Sequence, residues 1–476
     1  MPKHVAYTDM RDFVKLLDEK GMVARVKAEV DPVHEVGAIA ARSLQRQGPA
    51  IIFENVKGYP GKPMVVNLLS TPEHVALAFG TEPTEDRIQE RVVHGMMNRV
   101  PSVVDKTGPC KDVVLMGDQA DLNFIPTPVW HEHDGGRFLA TTAGVVTRDP
   151  ITGILNIGLY RAMIKDRQTL TMSGGLRGRE SSTGPGGGDH ILDNERMGRP
   201  TPVAIVMGTD PLVTLAAGSP VRPNAGGLEG SMEYEAAGGW RGEPTHLVKC
   251  ETSDLLVPAD AEVVIEGEVV PNERTKEGPH GESTGFYGEN HAAFVIKVKC
   301  ITHRKDPLTY GLICLRVEDY PRQLLRSGSM QSRLIQQTGK KNIKEVYFPE
   351  VGRHGMLIVS ADIQHKSEPR EIMEAIWDAE AWRWIVVVDD DCDVRDWEDV
   401  FWRVVSAAEP DDDVFPGRVH PPREQRTDEV DFTAPRRGMG IDATFKFKDR
   451  QFPPVNKVSR DLMNKVAARW GELGLP

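Results

Sequence analysis

The chain has 476 residues, a net charge of −12 at neutral pH and 27% charged residues. This length exceeds one ordinary core, so we expect two or three domains, and an acidic balance without a basic stripe argues against a nucleic-acid partner. Five scattered cysteines without a C-x-x-C pair indicate a reducing compartment. No apolar run approaches the roughly 18 residues of a membrane span, and the polar N-terminus does not resemble a signal peptide. We therefore expect a cytoplasmic protein that does not bind membranes.

The first 112 residues predict a small α/β unit. Thr8 is placed to cap a helix that runs to about Glu19, with Gly21 as its stop. Strand patterns over 23–26 and 50–55 alternate with helical patterns over 33–45 and 72–79. The residues expected to face inward from the first helix are Met10, Phe13, Val14 and Leu17.

Residues 113–318 change to short strands punctuated by glycine and proline, which favours a β-barrel or sandwich. The aperiodic stretch 181–190 is interpreted as a mobile loop. The predicted strands cover 143–147, 155–163, 203–207, 212–215, 261–269 and 293–301.

Helical spacing returns over 322–337 and 369–382, and a linking helix over 319–340 is expected to lead into a C-terminal α/β domain over 341–476. The run 384–389, WIVVVD, is a buried strand by composition. The tail over 459–470 predicts a helix with one apolar side, made of Leu462, Met463, Val466 and Trp470.

Two segments resemble metal sites only in part. His131-Glu-His-Asp134 carries four possible ligands, but adjacent residues of an extended chain alternate faces, so all four cannot converge. Asp389-Asp-Asp-Cys-Asp393 resembles the start of an EF-hand loop, yet the required glycine and glutamate further on are missing. No phosphate-binding G-x-x-x-x-G-K-[ST] motif is present, and no G-x-G-x-x-G motif follows a strand.

The segment Glu277-Gly-Pro-His-Gly-Glu282 is the most informative one. It sets two carboxylates five residues apart on a loop stiffened by glycine and proline. An arginine from elsewhere can ionise one of them while the other carries a proton, so one residue type supplies an acid and a base. The alternative is a turn with two solvated carboxylates. Arg161, at the end of Asn156-Ile-Gly-Leu-Tyr-Arg161, is the candidate arginine.

Several motifs together are similar to the UbiD family of reversible decarboxylases, whose members use prenylated flavin mononucleotide (FMN). The resemblance covers nearly the whole chain, and the order and spacing of the motifs make it specific. The motifs are P-T-P-V-W-H at 126–131, D-G-G at 134–136, N-I-G-L-Y-R-A-M at 156–163, L-V-K-C-E-T-S-D-L-L-V-P-A at 247–259, I-E-G-E at 265–268, E-G-P-H-G-E at 277–282, D-D-D-C-D-V-R-D-W-E-D-V-F-W at 389–402 and G-I-D-A-T at 440–444.

The resemblance implies that Arg161, Glu277 and Glu282 form the catalytic network. Arg161 would ionise Glu277 and steer the substrate carboxylate, and Glu282 would donate the proton that replaces CO2. A structural ion pair is the alternative role for Arg161. Strict strand alternation also places Asn156 and Arg161 on opposite faces, so either a bulge at Gly158 intervenes or the two faces meet opposite ends of the cofactor.

The resemblance further implies that Asn156, His190 and Glu233 hold a divalent metal, Mn²⁺ or Mg²⁺, against the cofactor phosphate. Glu235 is the alternative to Glu233, and a glycine-rich stretch precedes His190. Other positions implied to contact the cofactor are Ile157, Gly158, Leu159, Tyr160, Arg161, Ala217, Gly218 and Ser219, the last three also offering carbonyl groups to K⁺.

The implied activity is the decarboxylation of an aromatic or heteroaromatic acid. Loss of CO2 from an sp² carbon leaves an anion that no side chain can accept, so a cofactor must act as the electron sink. Small residues in the segment 326–330, among them Ser327 and Gly328 with Met330, are implied to line a pocket for a larger or oxygenated ring. A flavin prenyltransferase would supply the cofactor.

The fold implied is a central split β-barrel over 113–318 that binds the flavin, flanked by the N-terminal α/β unit and the C-terminal α/β domain. The C-terminal domain would mediate a homodimer or homohexamer, and the active site would lie between domains that move as on a hinge. Two alternatives remain open: a flavin oxidoreductase on a split barrel, and a non-catalytic scaffold subunit of a multi-protein carboxylase.

Overall fold

The computed structural model describes residues 5–139, 143–176, 178–179, 184–219, 221, 232–282, 285–314, 331, 334–335, 339–349, 355–379, 382–417, 438–448, 451–456, 458, 460–467 and 469–473. These residues form a mixed α+β structure built on sheets of four, three, seven and five strands. No helix among them is long and apolar enough to cross a membrane.

The N-terminal part packs helices against the four-stranded sheet. Its helices are α1 (Met10–Glu19), α2 (Glu35–Leu44), α3 (Pro72–Phe79) and α4 (Glu85–Met97). Its strands are β1 (Val23–Val26), β2 (Ala50–Phe53) and β3 (Met64–Val66), and β14 (Thr309–Gly311) returns from much later in the chain to pair with β3. This return strand ties the N-terminal sheet to the end of the central region.

The predicted inward face of α1 is confirmed, since Met10, Phe13, Val14 and Leu17 are buried. Its predicted cap is wrong. The side chain of Asp9 accepts the backbone N–H of Asp12 and caps the helix, and Thr8 instead contacts the Asp12 carboxylate. An aspartate one residue later satisfies the same unpaired donor.

The described residues of the central region form two sheets and three α-helices. The helices are α5 (Gly187–Arg196), α6 (Pro211–Ala217) and α7 (Met232–Arg241). The three-stranded sheet joins β4 (Val103–Asp105), β10 (His246–Lys249) and β11 (Leu256–Pro258). The seven-stranded sheet joins β5 (Val113–Met116), β6 (Gly144–Arg148), β7 (Leu155–Leu159), β8 (Thr169–Met172), β9 (Thr201–Met207), β12 (Val263–Gly281) and β13 (Tyr287–His303).

The seven-stranded sheet curls back on itself. Its order is β5-β13-β12-β9-β6-β7, with β8 paired to β13. Beyond the edge strand β7, isolated bridges join Arg161 to Ser173 and Ile164 to Leu170, so the chain leaving one edge meets β8 on the far side. Register shifts along the β12–β13 pair, including one at Glu277, supply the local bending that such a curve requires.

Two secondary-structure predictions in this region are wrong. Residues 212–215, predicted as a strand, lie in α6, because Asp210 caps the helix through the Leu212 N–H and Pro211 occupies its first turn. The stretch 181–190 was predicted as one loop, but residues 187–190 open α5. Residues 181–183 lie outside the described part of the chain.

The C-terminal part is built on the five-stranded sheet, ordered β15-β16-β17-β19-β18. These strands are β15 (Ile343–Tyr347), β16 (Met356–Ala361), β17 (Trp384–Asp389), β18 (Val414–Pro416) and β19 (Met439–Asp442). The helices are α8 (Glu368–Ala379), α9 (Trp397–Ala407) and α10 (Arg460–Ala467). The strand predicted over 384–389 is confirmed, whereas the helices predicted over 319–340 lie almost entirely outside the described residues.

The buried carboxylate of Glu262 fastens α1 to the central sheet. It accepts two hydrogen bonds from the Arg11 guanidinium at 2.6 Å each and one from the Leu308 N–H at 2.9 Å. Arg304 approaches the same carboxylate at 3.4 Å. We expect Glu262→Gln to lower the free energy of unfolding by about 2 to 3 kcal/mol, since charge-assisted hydrogen bonds are lost in a buried site.

Urea denaturation followed by tryptophan fluorescence measures this change. Glu268→Gln is the matched control, because Glu268 pairs with Lys299 at the surface and should cost less than about 1 kcal/mol. Equal losses in the two variants would contradict the role assigned to Glu262.

Candidate active site

Arg161 contacts two carboxylates at once. Its Nε donates to Glu277 Oε1 at 2.5 Å, and its Nη1 pairs with Glu282 Oε1. The Glu277 side chain is fully buried, whereas that of Glu282 is 35% exposed. The three residues that the sequence singled out therefore meet in one cluster, with an inner and an outer glutamate.

Thr171 and Gly288 complete this cluster and were missed by the sequence analysis. The Thr171 hydroxyl donates to Glu277 Oε2 at 2.6 Å, so both oxygens of the inner carboxylate accept a hydrogen bond. A Cβ on Gly288 would lie 3.1 Å from Arg161 Nη1 and 3.2 Å from Glu282 Oε1, so glycine leaves room for the pair. The alternation of T-L-T-M in β8 marks Thr171 as facing one side of a strand, but no local pattern indicates its partner.

The path from Asn156 to Arg161 explains how both side chains reach the site. The β6–β7 pairing runs without a register shift through Gly158, so of the two alternatives the bulge at Gly158 is wrong. Instead β7 ends at Leu159, and Arg161 forms a separate bridge with Ser173. A Cβ on Gly158 would meet the Tyr160 ring at 2.4 Å, so glycine here allows Tyr160 to fold back over its own strand.

Asn156 and His190 lie around a second centre. Asn156 is paired across the sheet with Thr147, and the Thr147 hydroxyl contacts His190 Nδ1 at 2.9 Å. The Tyr160 hydroxyl oxygen accepts the Asn156 side-chain amide at 3.2 Å and the Gly187 N–H at 3.0 Å. Tyr160 thus links β7 to the first turn of α5, which carries His190.

The chemistry of this centre fits a hard divalent cation. The side-chain amide nitrogen of Asn156 donates to the Tyr160 hydroxyl, so the side-chain oxygen of Asn156 is the atom that can bind a metal ion. Thr147 engages His190 Nδ1, which leaves Nε2, and such a second contact commonly orients a ligating histidine. Burial lowers the pKa of His190 to about 4, against the opposing effect of Asp149 and Asp189, so the ring is neutral at pH 7, as a metal ligand must be.

Glu233 and Glu235 are both buried on α7, which packs against β7. Burial raises the pKa of Glu235, and Arg99 opposes that rise. The preference for Glu233 as the third ligand stays a prediction.

The segment Ala217–Ser219 forms the end of α6. The N–H groups of Gly218 and Ser219 donate to Thr214 and Ala216 carbonyls, so these two amides are used within the helix end. The carbonyl groups at a helix C-terminus carry partial negative charge, which suits the potassium part of the prediction. Ile157 is buried in the hydrophobic core, and Leu159 packs against that core while partly buried.

Not every predicted position can be placed. Ser327, Gly328 and Met330 lie outside the described residues, so the predicted substrate pocket stays a prediction. The four-residue segment 131–134 does not converge as a whole, since Glu132 and His133 are exposed. Asp134 instead lies beside His131 and His280, with one donor atom of each within 4.8 Å of the others, a grouping that the sequence did not indicate.

Family models match most of the chain. Models of the N-terminal, Rift-related and C-terminal domains of 3-octaprenyl-4-hydroxybenzoate carboxy-lyase match residues 14–91, 102–317 and 327–443. A relative from Synechocystis sp., uncharacterized protein sll0936, is 31% identical over 98% of this chain and 96% of its own length.

Solved structures of the same kind of enzyme also match the chain. Vanillic acid decarboxylase from Sedimentibacter hydroxybenzoicus, in an open form, matches with a TM-score of 0.82 at 28% identity over 99% of both chains. An evolved dimeric form of the UbiD-class enzyme HmfF from Pelotomaculum thermopropionicum, in complex with prenylated FMN, matches with a TM-score of 0.79 at 28% identity over 96% of this chain and 99% of the other. The protein is thus a carboxy-lyase of the prenylated-FMN-dependent class. The chain belongs to the UbiD family.

The lowered pKa of His190 predicts a pH-dependent stability. Between the ordinary pKa of 6.5 and the folded value of about 4, the unfolded chain binds a proton that the folded chain does not. The stabilisation is therefore complete above about pH 6.5 and lost as the pH falls towards 4, with a slope of up to about 1.4 kcal/mol per pH unit. We expect His190→Gln to remove this component of the slope.

Urea denaturation of cofactor-free protein at intervals from pH 4 to 7 measures the slope. His291→Gln, at an exposed position, is the control for loss of a surface histidine. A wild-type slope in His190→Gln would contradict the assignment.

Proposed function

We propose that the protein catalyses the reversible, non-oxidative decarboxylation of an aromatic or heteroaromatic carboxylic acid. The observation that carries this proposal is Arg161 held between a buried and a partly exposed glutamate. One guanidinium is shared by two carboxylates, an arrangement in which one carboxylate can hold the charge while the other carries a proton. Glu277 accepts hydrogen bonds at both oxygens and is the ionised member. Glu282 lies at the exposed end and is the member that exchanges a proton.

Prenylated FMN is the proposed cofactor, held by the curled seven-stranded sheet acting as a split barrel. Asn156, His190 and Glu233 would hold Mn²⁺ or Mg²⁺ against its phosphate, and the carbonyl groups of Ala217, Gly218 and Ser219 would bind K⁺. The burial of Asn156, His190 and Glu233, their oxygen and imidazole donor atoms and the neutral ring of His190 support the proposed divalent-metal site. When bound, the cofactor supplies the electron sink for the carbon that loses CO2.

The residues of the chain would then orient the substrate and move the proton. Arg161 steers the substrate carboxylate while keeping Glu277 ionised, and Thr171 fixes the orientation of Glu277. Glu282 donates the proton to the carbon that has lost CO2, or removes it in the carboxylation direction. A flavin prenyltransferase would supply the cofactor in the cell.

An oxygenated aromatic ring is the proposed substrate type. The similarity to vanillic acid decarboxylase at 28% identity over nearly the full length supports this class, together with the predicted small residues at 327 and 328. The C-terminal domain, proposed over 341–476, would form a homodimer or homohexamer. Exposed apolar side chains on α9, among them Phe401, Trp402 and Val405, support a role in assembly.

Glu282→Gln tests the proposed proton transfer. We expect the turnover number, kcat, for decarboxylation of an aromatic acid such as vanillic acid to fall by about 100-fold or more, with the cofactor retained in the native mass spectrum. Glu289→Gln is the matched control, because its side chain is 34% exposed on the neighbouring strand and pairs with Lys276. Unchanged turnover in Glu282→Gln would refute the assignment of Glu282.

A further inference from the structure

A short segment of the chain, residues 131–136, contacts residues 277–282, the irregular end of β12 with Glu282 just beyond it, which carry both glutamates and are called the loop below. Asp134 Oδ1 accepts the Gly281 N–H at 2.8 Å, and the Gly135 N–H donates to the Pro279 carbonyl at 2.7 Å. These two hydrogen bonds fix the backbone on both sides of His280, and the first of them, at Gly281, lies one residue before Glu282. We call residues 131–136 the clamp.

The clamp and the loop touch through glycines. A Cβ on Gly135 would lie 2.2 Å from the Gly278 carbonyl oxygen, and a Cβ on Gly281 would lie 2.5 Å from His131 Nδ1. Real Cβ atoms do not approach this closely, so both glycines are needed for the contact. Because the two backbones are in contact, the loop cannot shift without breaking both hydrogen bonds.

Asp134 is built to remain a strong acceptor. Its side chain is fully buried, and its second oxygen accepts the His131 N–H at 3.0 Å. Burial opposes ionisation, but hydrogen bonds from His131 and the Gly281 N–H, together with the nearby His280 ring, outweigh it and hold the pKa of Asp134 well below its usual range. A carboxylate accepting from backbone N–H groups makes shorter and stronger hydrogen bonds than a neutral acceptor.

We propose that Asp134 is a positioning residue for Glu282. Resting on the function proposed above, it holds Gly281 so that the Glu282 carboxylate stays on Arg161 and within reach of the substrate. Glu282 needs such support because it lies at the exposed end of the cluster. Its own N–H donates to the Phe286 carbonyl and its carbonyl accepts the Gly285 N–H, both at 2.9 Å, so the chain is anchored on both sides of it. Proton transfer depends on this placement, since a misplacement of about 1 Å can cost 100-fold in rate.

His280 separates this proposal from a metal centre. Its ring is buried and lies 4.2 Å from the Phe138 ring, centroid to centroid. Neither ring nitrogen has a hydrogen-bond partner among the described residues, and Nδ1 is 3.6 Å from Asp134 Oδ1. If the clamp acts through the backbone, His280 contributes packing, and phenylalanine can replace it. If His131, Asp134 and His280 instead bind a metal ion, replacing His280 should lower kcat as much as replacing Asp134 does.

A double-mutant cycle tests the proposal. Asparagine can accept only one of the two backbone N–H groups, those of His131 and Gly281, and turns its NH2 towards the other. Asp134→Asn should therefore loosen the loop. We expect this change to lower kcat by about 10- to 100-fold with native-mass cofactor occupancy retained. In a Glu282→Gln background the same change should lower kcat no further, because residues that act as one unit are not additive. Asp121→Asn, at an exposed cap that accepts the Asn123 N–H, should keep wild-type kcat.

Two variants strengthen the cycle. His280→Phe should keep kcat within about threefold of wild type. His131→Ala is the milder change if Asp134→Asn does not fold, and its smaller loss of kcat should likewise vanish in the Glu282→Gln background.

Three results would be decisive against the proposal or its basis. Equal loss of kcat from Asp134→Asn in both backgrounds would show that Asp134 acts through general stability. Loss of one equivalent of divalent metal in both Asp134→Asn and His280→Phe, measured by elemental mass spectrometry, would establish a metal centre instead. Unchanged turnover in the Glu282→Gln single variant would overturn the proposed function itself.

Discussion

The shared guanidinium of Arg161 is the interaction on which the candidate active site depends. Burying a carboxylate as completely as that of Glu277 is costly unless it is paired and hydrogen-bonded, and Arg161 with Thr171 meets both requirements. Arg161, just beyond β7, and Thr171 on β8 meet Glu277 on β12, so the curled sheet is what brings them together. The same geometry leaves Glu282 at the exposed end, which gives two identical side chains different environments.

The strongest sequence predictions were those in which a local pattern is sufficient. The inward face of α1, the bounds of α3 and the strand at 384–389 follow from periodicity, caps and composition. The meeting of Arg161 with Glu277 and Glu282 came from resemblance to a family, because nothing in the spacing of the chain sets residues so far apart beside each other. That part of the site was predictable only through the order of several motifs.

What the sequence could not give follows from tertiary context. The run Leu212–Leu215 has strand composition, but Asp210 and Pro211 start a helix there. The glycines and proline near Glu277 indicated a loop, yet β12 continues to Gly281 because β13 pairs with it up to Gly281, with register shifts on either side of Glu277. Thr171 is an ordinary polar residue in the sequence, and the motifs around Asp134 do not indicate its partner. Their contacts with Glu277 and Gly281 exist only once distant segments fold together.

A native mass spectrum of protein co-produced with a flavin prenyltransferase and kept anaerobic tests the central claim most directly. Prenylated FMN should be bound together with one divalent metal ion, and replacing His190 by glutamine should remove the metal. Unmodified FMN with nicotinamide-dependent turnover would contradict the proposed decarboxylation in favour of an oxidoreductase. A folded protein that binds no flavin at all would contradict it in favour of a scaffold subunit.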